Sequence, residues 1–372
     1  MGDPIKILHV VPNMQAGGLE TLIMNIYKNI DRSKIQFDFL THYKDNFFYD
    51  EEIKSLGGKI YKFSLRDDNN IFKYLHDLDL FFSNHSEYKI VHGHMESLGR
   101  FYFKSAYRHG IPVRIAHAHN TSTDKNLKGW MKRILLKGFK SYATDFFACS
   151  SKAGEFMFKD KDFKIIKNGI NTDDFIFDEK IRVEVRKELN IENKTVIGHV
   201  GRFTPQKNHF FILQIFKEIS KLDENAVLLL CGGGELEQEI REWVVSLELE
   251  NKVLFLGIRN DMPRVYQAMD CFLFPSLYEG LGIVAIEAQC SGLPVIGSDV
   301  IPKEVVTSSC FHYMSLDAPA KDWALKVLKE VQMSRSARQS EVAHIRDAGY
   351  DIHDVAFQLQ NYYIEKYKQY FV

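Results

Sequence analysis

The chain has 372 residues, 45% of them hydrophobic and 26% charged, which is enough for two domains of ordinary size. Lysine plus arginine (48) nearly balances aspartate plus glutamate (49), so no nucleic-acid partner is expected. No apolar run approaches the ~18 residues of a membrane-spanning helix, the start Met1-Gly2-Asp3-Pro4 lacks the basic and apolar runs of a secretory leader, and the five cysteines form no Cys-x-x-Cys pair. These features predict a cytoplasmic protein with reduced thiols.

Ile5 to Val11 is a short apolar run that reads as a buried strand. It leads through Gly17-Gly18 into a helix from about Leu19 to Asn29. A dinucleotide-binding turn needs a third glycine three positions on, and Thr21 stands there. Phe37–Leu40, Lys59–Phe63, Lys89–His94 and Val113–Asn120 read as further strands separated by helical patterns. That alternation predicts an α/β fold with parallel sheets, whose ligands gather at the carboxyl ends of the strands. Gly17, His94 and His119 then share one rim.

His92, His94, His117 and His119 stand at strand exits, and His9 lies inside its strand. No carboxylate or cysteine spacing accompanies them, so no metal is expected. Alternation puts His117 and His119 on one face, where one of them can be structural. Asp77-Leu78-Asp79 falls between Leu75 and Phe81 in a predicted helix and reads as a solvated face. Residues 125–144 carry six basic and no acidic side chains, with apolar residues at helical spacing and Trp130 beside them. Such a segment suits peripheral contact with an anionic membrane; an ordinary half-buried helix would show the same pattern.

Phe146–Ser151 reads as a strand running into a helix cap, and a domain boundary is expected near residue 170. Val196–Val200 leads into a loop with two cations, Arg202 and Lys207, suited to a diphosphate. Ala226–Cys231 ends in Gly232-Gly233-Gly234, and Val253–Gly257 exits at Ile258 and Arg259. Cys271–Phe274 is followed by Pro275-Ser276-Leu277-Tyr278-Glu279-Gly280-Leu281-Gly282 and a helix carrying Glu287. Glycines there let a ligand approach the backbone. A helix beginning near Gly282 aims free N–H groups and partial positive charge at a phosphate. Glu287, one turn along, is placed to reach ribose hydroxyls.

Pro275-Ser276, Glu279-Gly280, Gly282 and Glu287-Ala288 resemble the signature of the retaining glycosyltransferases of family 4, two glutamates separated by seven residues. The resemblance covers about residues 5–310. It implies the GT-B fold: an acceptor-binding Rossmann-like domain (1–169), a nucleotide-sugar-binding one (170–350), a cleft between them, and a C-terminal helix (351–372) that crosses back. By resemblance, Arg202 and Lys207 bind the diphosphate, Glu287 the ribose, and backbone around Ile258 and Arg259 the base. Glu279, with Gly280, Leu281, Gly282, Ile283 and Val284, takes the donor sugar and α-phosphate. His119, Gly17 and Gly18 complete the site from the first domain.

The implied reaction moves a hexosyl unit from a nucleotide diphosphate sugar, UDP-linked by expectation, to a hydroxyl of a lipid-linked glycan in cell-surface polysaccharide synthesis. It needs neither metal nor cofactor, and the enzyme would work at the inner face of the plasma membrane. A nucleotide-sugar 2-epimerase of the same fold and an inactive transferase-like binding partner are the alternatives. This chain departs from the family pattern at Lys167, where proline is common, and at Thr307-Ser308-Ser309-Cys310, where a glycine-containing turn is expected.

Overall fold

The computed structural model describes residues 3–15, 17–63, 65–119, 139–159, 161–334 and 338–371. Most of the basic segment 125–144 therefore lies outside the described residues. Among the described residues no helix is long and apolar enough to cross a membrane.

Apolar strands without alternation need cover on both faces, which parallel sheets with helices on each side provide. The first sheet contains β1 (Ile5–Val10), β2 (Ile35–Thr41), β3 (Ile60–Lys62), β4 (Ile90–Gly93), β5 (Val113–Ala118), β6 (Asp145–Ala148) and β7 (Lys164–Ile165). Its order is β3-β2-β1-β4-β5-β6-β7, parallel throughout. The second contains β8 (Thr195–Val200), β9 (Ala226–Cys231), β10 (Val253–Gly257), β11 (Cys271–Phe274), β12 (Val295–Ser298) and β13 (Phe311–Met314). Its order, β10-β9-β8-β11-β12-β13, is again wholly parallel. The two sheets share one logic. The chain runs outward from a central strand, then returns and builds the other way, so each has a switch point between its first and fourth strands. Ligands of open α/β sheets bind outside the carboxyl ends of the strands at such points.

The chain divides into two compact units, 1–170 with 349–372, and 171–348. In the first, Ile7, Ile90 and Ile115 pack with Tyr27, Leu359 and Tyr363 from the helices Gly18–Asn29 and Ile352–Phe371. The opposite face packs Leu8, Val91 and Ala116 with Tyr74, Phe103 and Phe158 from three further helices. The C-terminal helix thus completes the core of the first unit. Its entry is pinned by backbone bonds from Ile170 N–H to the Tyr350 carbonyl and from Ile352 N–H to the Ile170 carbonyl, each 2.8 Å. Lys167, which replaces the family's proline, lays its ammonium 4.8 Å from the Tyr350 ring centroid. A cation–π contact therefore stands beside the turn that a proline would have stiffened.

The second unit packs Ile197, Leu228, Leu230, Leu273 and Ile296 beneath the helices His209–Leu222, Glu237–Ser246 and Ala320–Ser334. Thr307 to Cys310 has no glycine, and the Gln289 side chain holds it instead. Gln289 Oε1 accepts from the Thr307 and Ser308 N–H groups at 3.1 and 3.2 Å. In the first unit, Asp77 and Asp79 lie on the helix Ile71–Asn84, and Asp79 pairs with His109 at 2.9 Å.

Candidate active site

In the second unit the exits of β8 and β11 flank the switch point. The chain leaves β11 through Pro275 to Gly282 and enters the helix Ile283–Cys290. Gly282 caps that helix with φ +94°, a conformation that L side chains rarely adopt, and a Cβ there would stand 3.1 Å from the Phe274 ring. Ala285 N–H closes back on the Gly282 carbonyl at 2.9 Å, and helix geometry gives the Ile283 and Val284 N–H groups no partner within the helix, so they suit an anion.

The loop from β8 is fastened to this turn. Leu277 N–H donates to the Gln206 carbonyl at 2.8 Å, and Asn208 Nδ2 donates to the Pro275 carbonyl at 3.1 Å. The Gln206 amide reaches the Tyr278 carbonyl at 3.0 Å and Glu279 Oε2 at 3.2 Å. Lys207 Nζ pairs with Glu279 Oε1 at 2.6 Å and lies 5.1 Å from the Phe274 ring centroid. The pair is largely buried, with side-chain exposures of 13% and 6%. Arg202 is exposed on the same loop. Gly232 supports that loop from β9: its φ is +141°, and a Cβ would fall 2.1 Å from the Gly201 carbonyl oxygen.

Glu287 lies one turn into the helix and accepts from the Tyr266 hydroxyl at 2.8 Å. Burial pushes its carboxyl up to about 7, against the lowering effect of that hydrogen bond. Tyr266 comes from the helix Met262–Ala268, and no sequence spacing pointed to it. Ile258 is 65% exposed after β10. Arg259 is held by Asp261 at 2.7 Å, so its backbone rather than its guanidinium is the free element there.

In the first unit, Gly17 precedes the helix Gly18–Asn29, and a side chain at Gly18 would meet open space. His119 follows β5, and its N–H donates to the Glu96 carboxylate at 3.2 Å. His9, His92, His94, His117 and His119 come together as one cluster. Register explains it, because His9 lies beside His92 and the β4–β5 pairing brings Gly93 beside Ala116. Two triads among the described residues, His9/His92/His94 and His94/His117/His119, have nitrogens within 4.8 Å of one another. Ring orientation differs between the pairs. His92 stacks on His94 at 4.3 Å and 23°, and His117 faces His119 at 4.2 Å and 34°. Lone pairs lie in the ring planes, so the stacked His92 and His94 do not aim at one point. The nitrogens pair edge to edge instead: His9 with His94 at 3.0 Å, His94 with His119 at 2.9 Å, and His92 with His117 at 3.1 Å.

Known proteins match this architecture in both halves. A family profile described as Glycosyltransferase Family 4 matches residues 16–174, and one described as Glycosyl transferases group 1 matches residues 181–310. EpsF of Bacillus subtilis (strain 168), assigned as a glycosyltransferase, is 33% identical over 369 residues, 96% of each chain. The UDP-Gal:alpha-D-GlcNAc-diphosphoundecaprenol alpha-1,3-galactosyltransferase of Escherichia coli is 28% identical over 226 residues, 58% of each chain. Anabaena HepE, solved in complex with UDP, superposes with a TM-score of 0.79 at 16% identity, covering 97% of this chain and 100% of that one. A near full-length relationship to a glycosyltransferase, with the two family profiles in succession along the chain, makes this protein a member of glycosyltransferase family 4 with the GT-B fold.

Proposed function

We propose that the protein is a retaining hexosyltransferase that takes its sugar from a UDP-linked donor and delivers it to a hydroxyl of a lipid-linked glycan. The Lys207–Glu279 pair beside the Gly282-capped helix carries this reading. It holds a cation, a carboxylate and free backbone N–H groups together, the set that a sugar diphosphate requires. On donor entry the Lys207 ammonium turns to the diphosphate and joins Arg202. Glu279, released from Lys207 and still held by Gln206, accepts from sugar hydroxyls. As the glycosidic bond breaks, negative charge grows on the leaving diphosphate. Two side-chain cations and the helix start, in place around the bound diphosphate before the bond breaks, stabilise that charge, and the proposed reaction uses no metal. Glu287 takes the ribose and the backbone at Ile258 and Arg259 takes the base; in the first unit, Gly17, Gly18 and His119 are the residues proposed to meet substrate.

Relatives support the donor and acceptor classes. HepE has been solved in complex with UDP-glucose, and the Escherichia coli relative is named for transfer of galactose from UDP to a diphosphoundecaprenol-linked sugar. Work at the cytoplasmic face of the plasma membrane follows from such an acceptor. The test is incubation of the protein with UDP-sugars and an undecaprenyl-diphosphate-linked acceptor, followed by analysis of the anomeric configuration of the product. Acceptor-dependent UDP release with a retained α-linkage is expected. An inverted linkage, or sugar epimerisation without acceptor, overturns the reading.

A further inference from the structure

His119 is linked to a row of imidazoles that runs from the rim of the first unit into its core. His119 Nε2 lies 2.9 Å from His94 Nδ1, and His94 Nε2 lies 3.0 Å from His9 Nδ1. Both nitrogens of His94 are engaged, so its ring cannot turn without breaking a bond. The far nitrogen, His9 Nε2, has no hydrogen-bond partner among the described residues. His9 lines a small cavity together with His92, His94, His117, Leu22 and Phe37.

A neutral imidazole carries one N–H and one lone pair. In a row joined nitrogen to nitrogen, every ring must therefore donate in the same direction. If the row donates inward, the last N–H is that of His9 Nε2, left buried without an acceptor among the described residues. If it donates outward, His9 leaves only a lone pair there. Orphaned buried N–H groups are the rarer of the two defects, so the outward direction wins.

We infer that His94, itself set by His9, fixes His119 as the Nδ1–H tautomer, so that His119 meets its ligand as a hydrogen-bond donor through Nδ1. Burial holds all three rings neutral, with His9 and His119 lowered to about 3 and His94 lowered well below its ordinary value by burial and by its neighbouring histidines. His94 and His9 are positioning residues on this view. The value of the arrangement is a donor of fixed direction facing an anionic substrate at every working pH. The inference rests on the proposed role of His119 for its consequence in catalysis, but not for the tautomer itself.

The test is histidine-labelled nitrogen NMR of the full-length protein, with two-bond proton–nitrogen correlations that separate Nδ1–H from Nε2–H rings. His119 is expected as Nδ1–H in the wild type and redistributed toward Nε2–H in His94→Phe. Donor kcat should fall roughly tenfold to a hundredfold in that variant with little change in donor KM, the scale of losing a partner that fixes an imidazole. His9→Phe should move both readouts less, in the same direction. An Nε2–H His119 in the wild type overturns the inference, and that spectrum needs no variant to fold. So does uptake of one equivalent of Zn²⁺ by the wild type with loss of these N–H signals. If the tautomer is as expected but His119→Ala turns over normally, the relay stands and the catalytic role of His119 falls.

Discussion

In the proposed donor site, Lys207 and Glu287 separate chemistry from binding. Lys207→Ala should lower kcat by roughly 10²–10³, the loss expected when one donor to a developing anion is removed; unchanged turnover in a folded variant would take Lys207 out of the mechanism. It should also lower the melting temperature without ligand, because Glu279 is then buried without its cation. Glu287 gives a pH signature. Its folded value of about 7 lies above the ordinary 4.5, so the folded state binds the extra proton between those values. Stability of the unliganded protein is therefore lost as pH rises through that window. If Glu287 takes the ribose as proposed, its carboxylate is the stronger acceptor, so UDP affinity should rise across the same interval. Glu287→Gln should flatten both slopes, read by melting temperature and by UDP titration from pH 5 to 8; slopes equal to the wild type would exclude Glu287 as their source. Spacing in the sequence exposed Glu279 and Glu287 because both lie on one short stretch. Lys207 was named from its own loop, but neither its pairing with Glu279 nor Tyr266 as the partner of Glu287 could be read that way. Lys207 precedes Glu279 by 72 positions and Tyr266 precedes Glu287 by 21, and only the sheet order places those segments side by side.

At the scale of elements, the site is a set of strand exits braced against one another. The Gly232 turn after β9 supports the Gly201 carbonyl after β8, and the β8 loop in turn grips the β11 loop through Gln206 and Asn208. Gly232→Ala should therefore act at a distance. A methyl group 2.1 Å from the Gly201 oxygen cannot be accommodated without moving the backbone that carries Arg202. Misplacement of about 1 Å costs catalysis on the order of a hundredfold, so kcat/KM should fall by that scale while Glu287 keeps its pH response. Normal activity in this variant would mean that the turn yields and the brace is not rigid. Strands, glycine turns and the helix after Gly282 were legible because apolar runs and glycines mark them directly. The histidine cluster was legible only in part. Period two put His117 and His119 on one face, but bringing in His9 required the register of β1 against β4, which no local pattern encodes.

Over the whole molecule, each unit has its own sheet, core and switch point, so unfolding need not be one transition. The second unit carries a buried charged knot that can mark it. Asp270 receives Arg186 at 2.7 Å, Arg182 on its other oxygen, and the Val196 N–H at 2.8 Å. Burial would raise its carboxyl, yet the two arginines and the N–H outweigh burial and hold it below the usual range. The contribution of Asp270 to stability is therefore complete above the ordinary carboxylate range and is lost as pH falls. Asp270→Asn leaves both guanidinium groups short of a counter-charge and should cost about 3–5 kcal/mol, confined to the second unit because every partner lies there. UDP, if it binds at the exits of β8 and β11, must act on that same transition and raise it. At a hundred times its dissociation constant it adds roughly 2.7 kcal/mol. Calorimetry of wild type and Asp270→Asn, each with and without UDP, decides the matter. The transition lowered by the substitution should be the one raised by the nucleotide. A nucleotide that raises only the other transition would put the donor on the first unit and reverse the assignment of the two halves.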